Sequence, residues 1–84
     1  MLFLVDARIL PGADIAPHLE EEKREVGKLR EAGFIEQLMR RLDDTGAWLV
    51  VSDDTAESAQ RRLDALPFVV HGVMTMTMSA VERL

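Results

Sequence analysis

The order of apolar patterns along the chain is the feature that most constrains its fold. Alternating apolar residues predict strands, and apolar residues three or four positions apart predict helices. On these criteria the chain contains, in order, a strand at residues 2–10, a helix at 14–33, strands at 34–42 and 47–52, a helix from Ala56 that ends at Pro67, and a strand at 69–78. Residues 79–84 are expected to form a short tail.

This strand–helix–strand–strand–helix–strand order is the split βαβ arrangement of the ferredoxin-like fold. We therefore predict one α+β domain over residues 1–84, with a four-stranded antiparallel sheet and two helices on one face. The other face of the sheet has no cover within the chain. Because a small domain is expected to bury a partly apolar face against a second copy, we predict a homodimer or higher homo-oligomer built as a dimeric α/β barrel.

The pattern at residues 34–42 fits either a helix or a strand. It follows Gly33, a residue type that ends helices, and precedes the turn-forming sequence Asp43-Asp44-Thr45-Gly46. Two extended segments on either side of such a turn form a β-hairpin. We therefore interpret residues 34–42 as a strand.

Polar residues indicate where the two helices begin. Asp14 is a plausible N-cap of the first helix, and Pro17 suits its first turn, where a missing N–H costs nothing. Asp54, with Glu57 three residues later, resembles a capping box for the second helix.

Charge and composition exclude several classes of protein. The net charge of −5 argues against nucleic-acid binding, because few cations are available to neutralise phosphates. The chain has no cysteine, which excludes disulfides and thiolate metal sites. The apolar run near the start is too short for a signal peptide, and no stretch approaches the ~20 apolar residues that span a bilayer. We therefore expect a cytoplasmic protein without membrane contact.

One acidic residue interrupts the apolar face of the first helix. Ile15, Leu19, Val26 and Leu29 follow the helical spacing, and the same rhythm places Glu22 between them. A carboxylate on a buried face requires a partner, a solvated cleft or a raised pKa. Glu22 is therefore the first candidate for a functional residue.

Each charged candidate has a functional and a structural interpretation. Glu22 can act as a general base in a poorly solvated cleft, or it can pair with Lys23, Arg24 or Arg40. Arg40 can bind a substrate carboxylate through its planar guanidinium, or it can face solvent or pair with Glu36. The sequence leaves both pairs of interpretations open.

The two histidines are further candidates for acid–base chemistry. His18 lies four residues before Glu22, so the two side chains share a helix face and form either an acid–base pair or half of a metal site. We reject the metal site because no third ligand is near. His71, placed near the start of the last strand, is either an acid–base group or a structural residue.

Two apolar features also allow a binding role. Trp48 either lines a ligand pocket or packs on the sheet or at an interface. Met74, Met76 and Met78 share one face of the last strand, where core or dimer packing is the favoured interpretation.

Three short motifs resemble one known family. They are the start Met1-Leu2-Phe3-x-Val5, the Gly33 helix stop followed by Leu38-Met39-Arg40, and Leu66-Pro67-Phe68 before the last strand. In these motifs the chain resembles the muconolactone delta-isomerase family of the dimeric α/β barrel superfamily. The chain departs from the family at Leu4 and Met39, where the family usually has histidine and tryptophan.

The resemblance implies a function in the catabolism of aromatic compounds. Isomerases of this family move a double bond in a muconate-derived lactone without a cofactor, by proton abstraction and return, and they assemble from dimers. The family places an acidic residue on the first helix, facing the cleft, which corresponds to Glu22. The departures at Leu4 and Met39 point to a different small acidic or lactone-like substrate.

We therefore predict a cofactor-free, isomerase-like enzyme. Glu22 takes a proton from the carbon next to a carbonyl and returns it elsewhere, Arg40 and Trp48 bind the substrate, and His18 or His71 assists. The alternatives are a cofactor-independent monooxygenase or polyketide cyclase of the same superfamily, and a non-catalytic module for small-molecule binding or assembly.

Overall fold

The computed structural model describes all residues from Met1 to Leu84. Its strands are β1 (Leu2–Ile9), β2 (Ile35–Arg40), β3 (Gly46–Ser52) and β4 (Met74–Val81). Its helices are α1 (Leu19–Glu31), α2 (Ala56–Asp64) and the single turn α3 (Pro67–Val70), and a 3-10 turn (Ala16–His18) precedes α1. None of the helices is long and apolar enough to cross a membrane.

The four strands form one antiparallel sheet in the order β2-β3-β1-β4. This is the strand order of the ferredoxin-like fold, and the helices pack on one side of the sheet, so the predicted fold class is confirmed. The alternation in β1 divides the two faces. Phe3, Val5 and Ala7 are buried on the side of the helices, where Leu49, Val51 and Leu63 join them in the core.

The hairpin between β2 and β3 confirms that residues 34–42 contain a strand rather than a helix. The strand is shorter than expected and carries a bulge between Ile35 and Gln37. Asp44 adopts a positive φ of 61° in the turn. At Gly46, where φ is 153°, a Cβ atom would lie 2.0 Å from the carbonyl oxygen of Ala7. Glycine is therefore required where β3 meets β1.

Both predicted helix caps are wrong, because α1 is capped at His18 rather than Asp14 and α2 at Thr55 rather than Asp54. The Asp14 carboxylate accepts a hydrogen bond from the backbone N–H of Ala16 at 3.1 Å, so it stabilises the 3-10 turn, and α1 begins only at Leu19. At α2 the cap is Thr55, whose hydroxyl oxygen accepts from the N–H of Ser58 at 3.1 Å. The extended backbone of Thr55 suits an N-cap, whereas Asp54 lies one residue too early.

The segment after α2 also differs from the prediction. Pro67 does not end a helix but begins α3, since the first helical position needs no N–H. Strand β4 consequently starts at Met74 rather than at residue 69, and it runs to Val81 through the first half of the predicted tail. His71 therefore lies in the turn after α3. The prediction that it lies on the last strand is wrong.

The face of the sheet that carries no helix, here called the open face, is partly apolar. It presents Leu2, Leu4, Asp6, Met39, Trp48, Val50 and Val81. Leu4 lies directly opposite Val50, and Met39 and Val81 are 45% and 42% exposed. Burial of this face in a homodimer remains a prediction.

A polar cluster occupies one end of the open face. The guanidinium of Arg41 lies 4.5 Å from the centre of the Trp48 ring and forms an ion pair with Asp6. Arg8 bonds to the same carboxylate at 3.2 Å. Two arginines thus hold one carboxylate on the side of the sheet away from the helices.

Candidate active site

A cavity of about 270 Å³ lies between α1 and the sheet. Ten of its thirteen lining residues are apolar. They come from all four strands, from α1 and from the segment before and within α3: Ala7, Leu19, Val26, Leu38, Ala47, Leu49, Leu66, Phe68, Met74 and Met76. The other three are Glu22, Lys23 and Arg40. An apolar cavity with a few convergent polar groups is the usual form of a small-molecule site.

Glu22 is the only charged residue in the buried part of the protein, with 7% of its surface exposed. It projects from the first turn of α1 into the cavity wall. The backbone N–H of Phe68, in the first turn of α3, donates a hydrogen bond to its Oε1 at 2.9 Å. This N–H is available because the first amides of a helix have no partner within the helix.

The environment of Glu22 raises the pKa of its carboxyl group above the usual value. Burial is the main cause, because it disfavours the charged form. The hydrogen bond from Phe68 opposes this by stabilising the carboxylate, and the nearby charge of Glu21 adds to the increase. A carboxyl group in this state takes up a proton more readily than an exposed one and can return it from the same oxygen.

The salt-bridge interpretation of Glu22 does not hold. Arg24 pairs with Glu25 at 3.9 Å, and Arg40 pairs with Asp44 at 3.6 Å, whereas no cationic side chain lies within 4.0 Å of the Glu22 carboxylate. Glu22 is thus held by a backbone donor and not neutralised by a counter-charge.

The cations of the cavity lie at its exposed edge. The side chain of Arg40 is 81% exposed, and its ion pair with Asp44 is a solvent-exposed one, which costs little to break. The predicted alternative partner, Glu36, bonds to Arg83 at 2.5 Å. Lys23 is also exposed and forms no ion pair with a protein carboxylate. The cavity thus combines apolar walls with two exposed cations at its edge.

The two histidine side chains contact each other and do not line the cavity. The rings of His18 and His71 stack with their centroids 3.9 Å apart and an angle of 12° between their planes. The Nε2 atom of His71 lies 3.9 Å from a carboxylate oxygen of Glu21. Neither ring lines the cavity, and His18 forms no hydrogen bond with Glu22.

Trp48 lies on the open face, beneath Arg41, and is separated from the cavity by the sheet. This position fits the interpretation of Trp48 as a packing residue and not the one in which it lines the ligand pocket. Leu4 and Met39, where the chain departs from the muconolactone isomerase pattern, also lie on the open face. These two departures therefore do not alter the walls around Glu22.

Several cavity residues were not identified from the sequence. Met74 and Met76 were interpreted as packing residues, and Phe68 only as part of a family motif. Alternation in β2 offers a usable signal, since Leu38 shares a face with Arg40 and both face the helices. The structure contains no group of three or more histidine, aspartate or glutamate side chains arranged to hold a metal ion.

Comparison with known proteins gives matches among solved structures only. No family profile and no curated protein matches the chain. Muconolactone isomerase superposes with a TM-score of 0.80 at 21% identity, over 100% of this chain and 91% of that one. The 5-chloro-2-hydroxyhydroquinone dehydrochlorinase of Burkholderia phenoliruptrix AC1100, in complex with 2,5-dihydroxybenzoquinone, superposes with a TM-score of 0.77 at 17% identity, over 98% and 94%.

At these identities the likeness shows the fold. The superpositions span nearly the full length of this chain and of both solved chains. The chain has the ferredoxin-like fold of muconolactone isomerase, and the resemblance carried by its sequence motifs is confirmed at that level.

Proposed function

We propose that the protein is a cofactor-free enzyme that transfers a proton within a small unsaturated acid or lactone, with Glu22 as the general base. The observation that carries the proposal is the Glu22 carboxylate, buried without a counter-charge in the wall of an apolar cavity. A buried carboxylate without a counter-charge is costly to keep, which favours a functional role. The fold shared with muconolactone isomerase supports the proposal.

The proposed reaction has two proton transfers. Glu22 first takes a proton from the carbon next to a carbonyl, so that a C–H bond breaks, an O–H bond forms, and the electron pair is delocalised into the conjugated carbonyl. The neutral Glu22 then returns the proton to the far end of the conjugated system. The double bond has moved, and no atom has been gained or lost. The apolar walls keep water from competing for the proton.

Arg40 and Lys23 are proposed to bind the substrate's carboxylate at the exposed edge of the cavity. This arrangement leaves the ring of the substrate among the apolar walls and its acidic carbon near Glu22. Arg40 is suited to the role because its guanidinium can donate two parallel hydrogen bonds to one carboxylate. The predicted role of His18 or His71 as an assisting acid is not part of this proposal, since neither ring lines the cavity.

Elimination of hydrogen chloride is a second candidate reaction. The likeness to a dehydrochlorinase favours it, and the cavity offers the same base. In this case Glu22 takes a proton, the electron pair of the broken bond to hydrogen forms a new π bond, the C–Cl bond breaks, and chloride leaves with its bonding electron pair. Release of chloride would separate this reaction from an isomerisation, which releases nothing.

Self-association of the open face is a further part of the proposal. Leu4, Met39, Val50 and Val81 leave this face without cover in a single chain. A second copy would bury it by the same surface on both subunits, as a twofold interface requires.

The decisive experiment is deuterium exchange from heavy water into a panel of substrates. The panel contains five-membered unsaturated lactones with and without a carboxylate side chain, and 5-chloro-2-hydroxyhydroquinone. Chloride release and oxygen uptake are followed in the same reactions. We expect Glu22→Gln to lower the active reaction by about 100-fold or more. Glu20→Gln, on the same helix and exposed, is the matched control and should leave the rate unchanged.

Each other outcome has a defined meaning. An unchanged rate in Glu22→Gln would remove Glu22 as the base. Oxygen uptake that requires the enzyme would favour the monooxygenase alternative. A panel without exchange, chloride release or oxygen uptake would contradict the proposed chemistry and favour a binding or assembly module.

A further inference from the structure

Two neighbouring contacts join α1 to α3. In one, the backbone N–H of Phe68 donates to the Glu22 carboxylate at 2.9 Å. In the other, the rings of His18 and His71 stack at 3.9 Å. His18 precedes Glu22 by four residues, and His71 follows Phe68 by three, so on both elements the contacts are about one helical turn apart.

The position of α3 depends on the packing of Pro67 and Phe68 in the core and on such contacts with the start of α1. A helix of four residues has no stability of its own, because forming the first turn costs more than one hydrogen bond returns. Its first turn is held through Phe68, and its end is held through His71, the residue that closes it. The partner ring belongs to His18, directly before α1. The stack therefore joins the end of α3 to the start of the helix that carries Glu22.

We propose that His18 and His71 are positioning residues, whose stacked rings hold α3 against α1 and so keep the Phe68 N–H on the Glu22 carboxylate. Their function is to stack and not to transfer protons to a substrate. The catalytic consequence rests on the proposed function of Glu22, whereas the positioning itself is a property of the fold. Phe68 also lines the cavity, so the same contact fixes one of its walls.

Aromatic replacement separates stacking from proton transfer. His71→Phe keeps a ring that can stack, and His71→Ala removes it. Amide hydrogen exchange at Phe68, measured by NMR at a pH where imidazole is neutral, reports the hydrogen bond without any substrate. We expect exchange about two- to tenfold faster in His71→Ala and unchanged in His71→Phe. Val70→Ala, at an exposed position of the same turn, is the matched control.

A second signal identifies the acceptor. The Phe68 amide resonance should shift as the Glu22 carboxyl group titrates in the wild type and in His71→Phe. This coupling should weaken in His71→Ala and in His18→Ala. A variant that only lowers overall stability would not change the coupling, because the folded molecules would keep the hydrogen bond.

Three results would overturn the proposal. The first is unchanged Phe68 exchange and coupling in His71→Ala. The second is an equal increase in exchange across the strands of the core, which would indicate general destabilisation. The third is a His71→Phe variant that behaves like His71→Ala, since a ring nitrogen and not the stacking of the ring would then be required.

Substrate turnover tests the consequence separately. If the wild type is active, His71→Ala should lower kcat with little change in KM, and His71→Phe should keep both. Loss of kcat in His71→Phe would contradict the positioning role. If the wild type has no activity on the panel, the proposed function fails, and the Phe68 measurements still decide whether the stack positions the carboxylate.

Discussion

Glu22 and Asp6 lie on opposite sides of one sheet, and both carboxylates have lost part of their contact with water. Burial raises the pKa of Glu22, and the single hydrogen bond from Phe68 does not offset it. Burial also acts to raise the pKa of Asp6, but the hydrogen bonds and charges of Arg41 and Arg8 outweigh it and lower the pKa below its usual value. The counter-charge, and not burial alone, therefore decides in which direction the pKa of each carboxyl group shifts.

The two faces also differ in what they pack against. The helix side of the sheet packs against the helices and forms the core and one wall of the cavity. The open face has apolar side chains in its middle and the Asp6–Arg41 ion pair at one end. Adjacent residues of β3 lie on opposite faces of the sheet. Leu49 is 2% exposed in the core, and Val50 lies on the open face. This alternation provides matched substitutions one residue apart.

The largest expected effect is on the helix side. Leu49→Ala should lower the free energy of unfolding by about 2–5 kcal/mol, because it leaves a void among buried side chains. Urea denaturation measures the change. Val50→Ala is the matched control and should cost clearly less in a monomer at low concentration. Equal losses at the two positions would contradict the assignment of the faces.

The next effect concerns the open face. Val50→Lys places a charge in the middle of the proposed dimer contact and should weaken self-association by about 100-fold or more, since burying an unpaired charge is costly. Sedimentation equilibrium measures the association constant. Gln60→Lys, a polar position on α2, should leave it unchanged. A wild-type protein that stays monomeric at high concentration would refute the dimer itself.

A smaller effect is expected in the pH dependence of stability from Glu22. Because its pKa is raised in the folded state, the folded protein binds more protons than the unfolded chain above the usual value of 4.5. Stability should therefore fall as the pH rises from 4.5 towards the pKa of the folded state. Glu22→Gln should remove this decline, as measured by thermal unfolding over a pH series. An identical decline in the variant would show that Glu22 does not titrate in this way.

The smallest effect has the opposite sign and comes from Asp6. Its pKa is lowered in the folded state, so its contribution to stability is present above the usual value of 3.8 and is lost as the pH falls through the folded pKa. Asp6→Asn should flatten the acid limb of the same pH series and lower stability at neutral pH, where Arg41 loses its partner. If Asp6→Asn instead removed the decline in stability above pH 4.5, that decline would belong to Asp6 and not to Glu22, which would contradict the comparison.

Periodicity predicted the fold, and it predicted that Glu22 lies on the buried face of the first helix. Its role as a general base stays a prediction. Alternation in β1 and the Gly33 stop before β2 are local signals, and each agrees with the tertiary structure. Glu22 could be identified from the sequence because an acidic residue on an apolar helix face is unusual, whichever group pairs with it. The prediction that residues 34–42 form a strand rested on the turn that follows them, and the hairpin confirms it.

The errors came from signals that are not local. Pro67 is compatible both with ending one helix and with starting another, and only the packing of α3 selects the second. The donor to Glu22 is a backbone N–H, which every residue except proline has, so no residue type could have revealed it. The stack of His18 on His71 joins residues 53 positions apart, and the wrong strand assignment for His71 concealed it.

Gly46 has a consequence for comparing this chain with distant relatives. Its missing side chain leaves room for the Ala7 carbonyl, so any chain with the same β1–β3 register and backbone must have glycine there. At identities of 17–21%, an alignment cannot be anchored by overall similarity. A glycine fixed by the approach of two strands supplies that anchor, and a relative with a larger residue at this point must differ in the register or in the backbone conformation of its first and third strands.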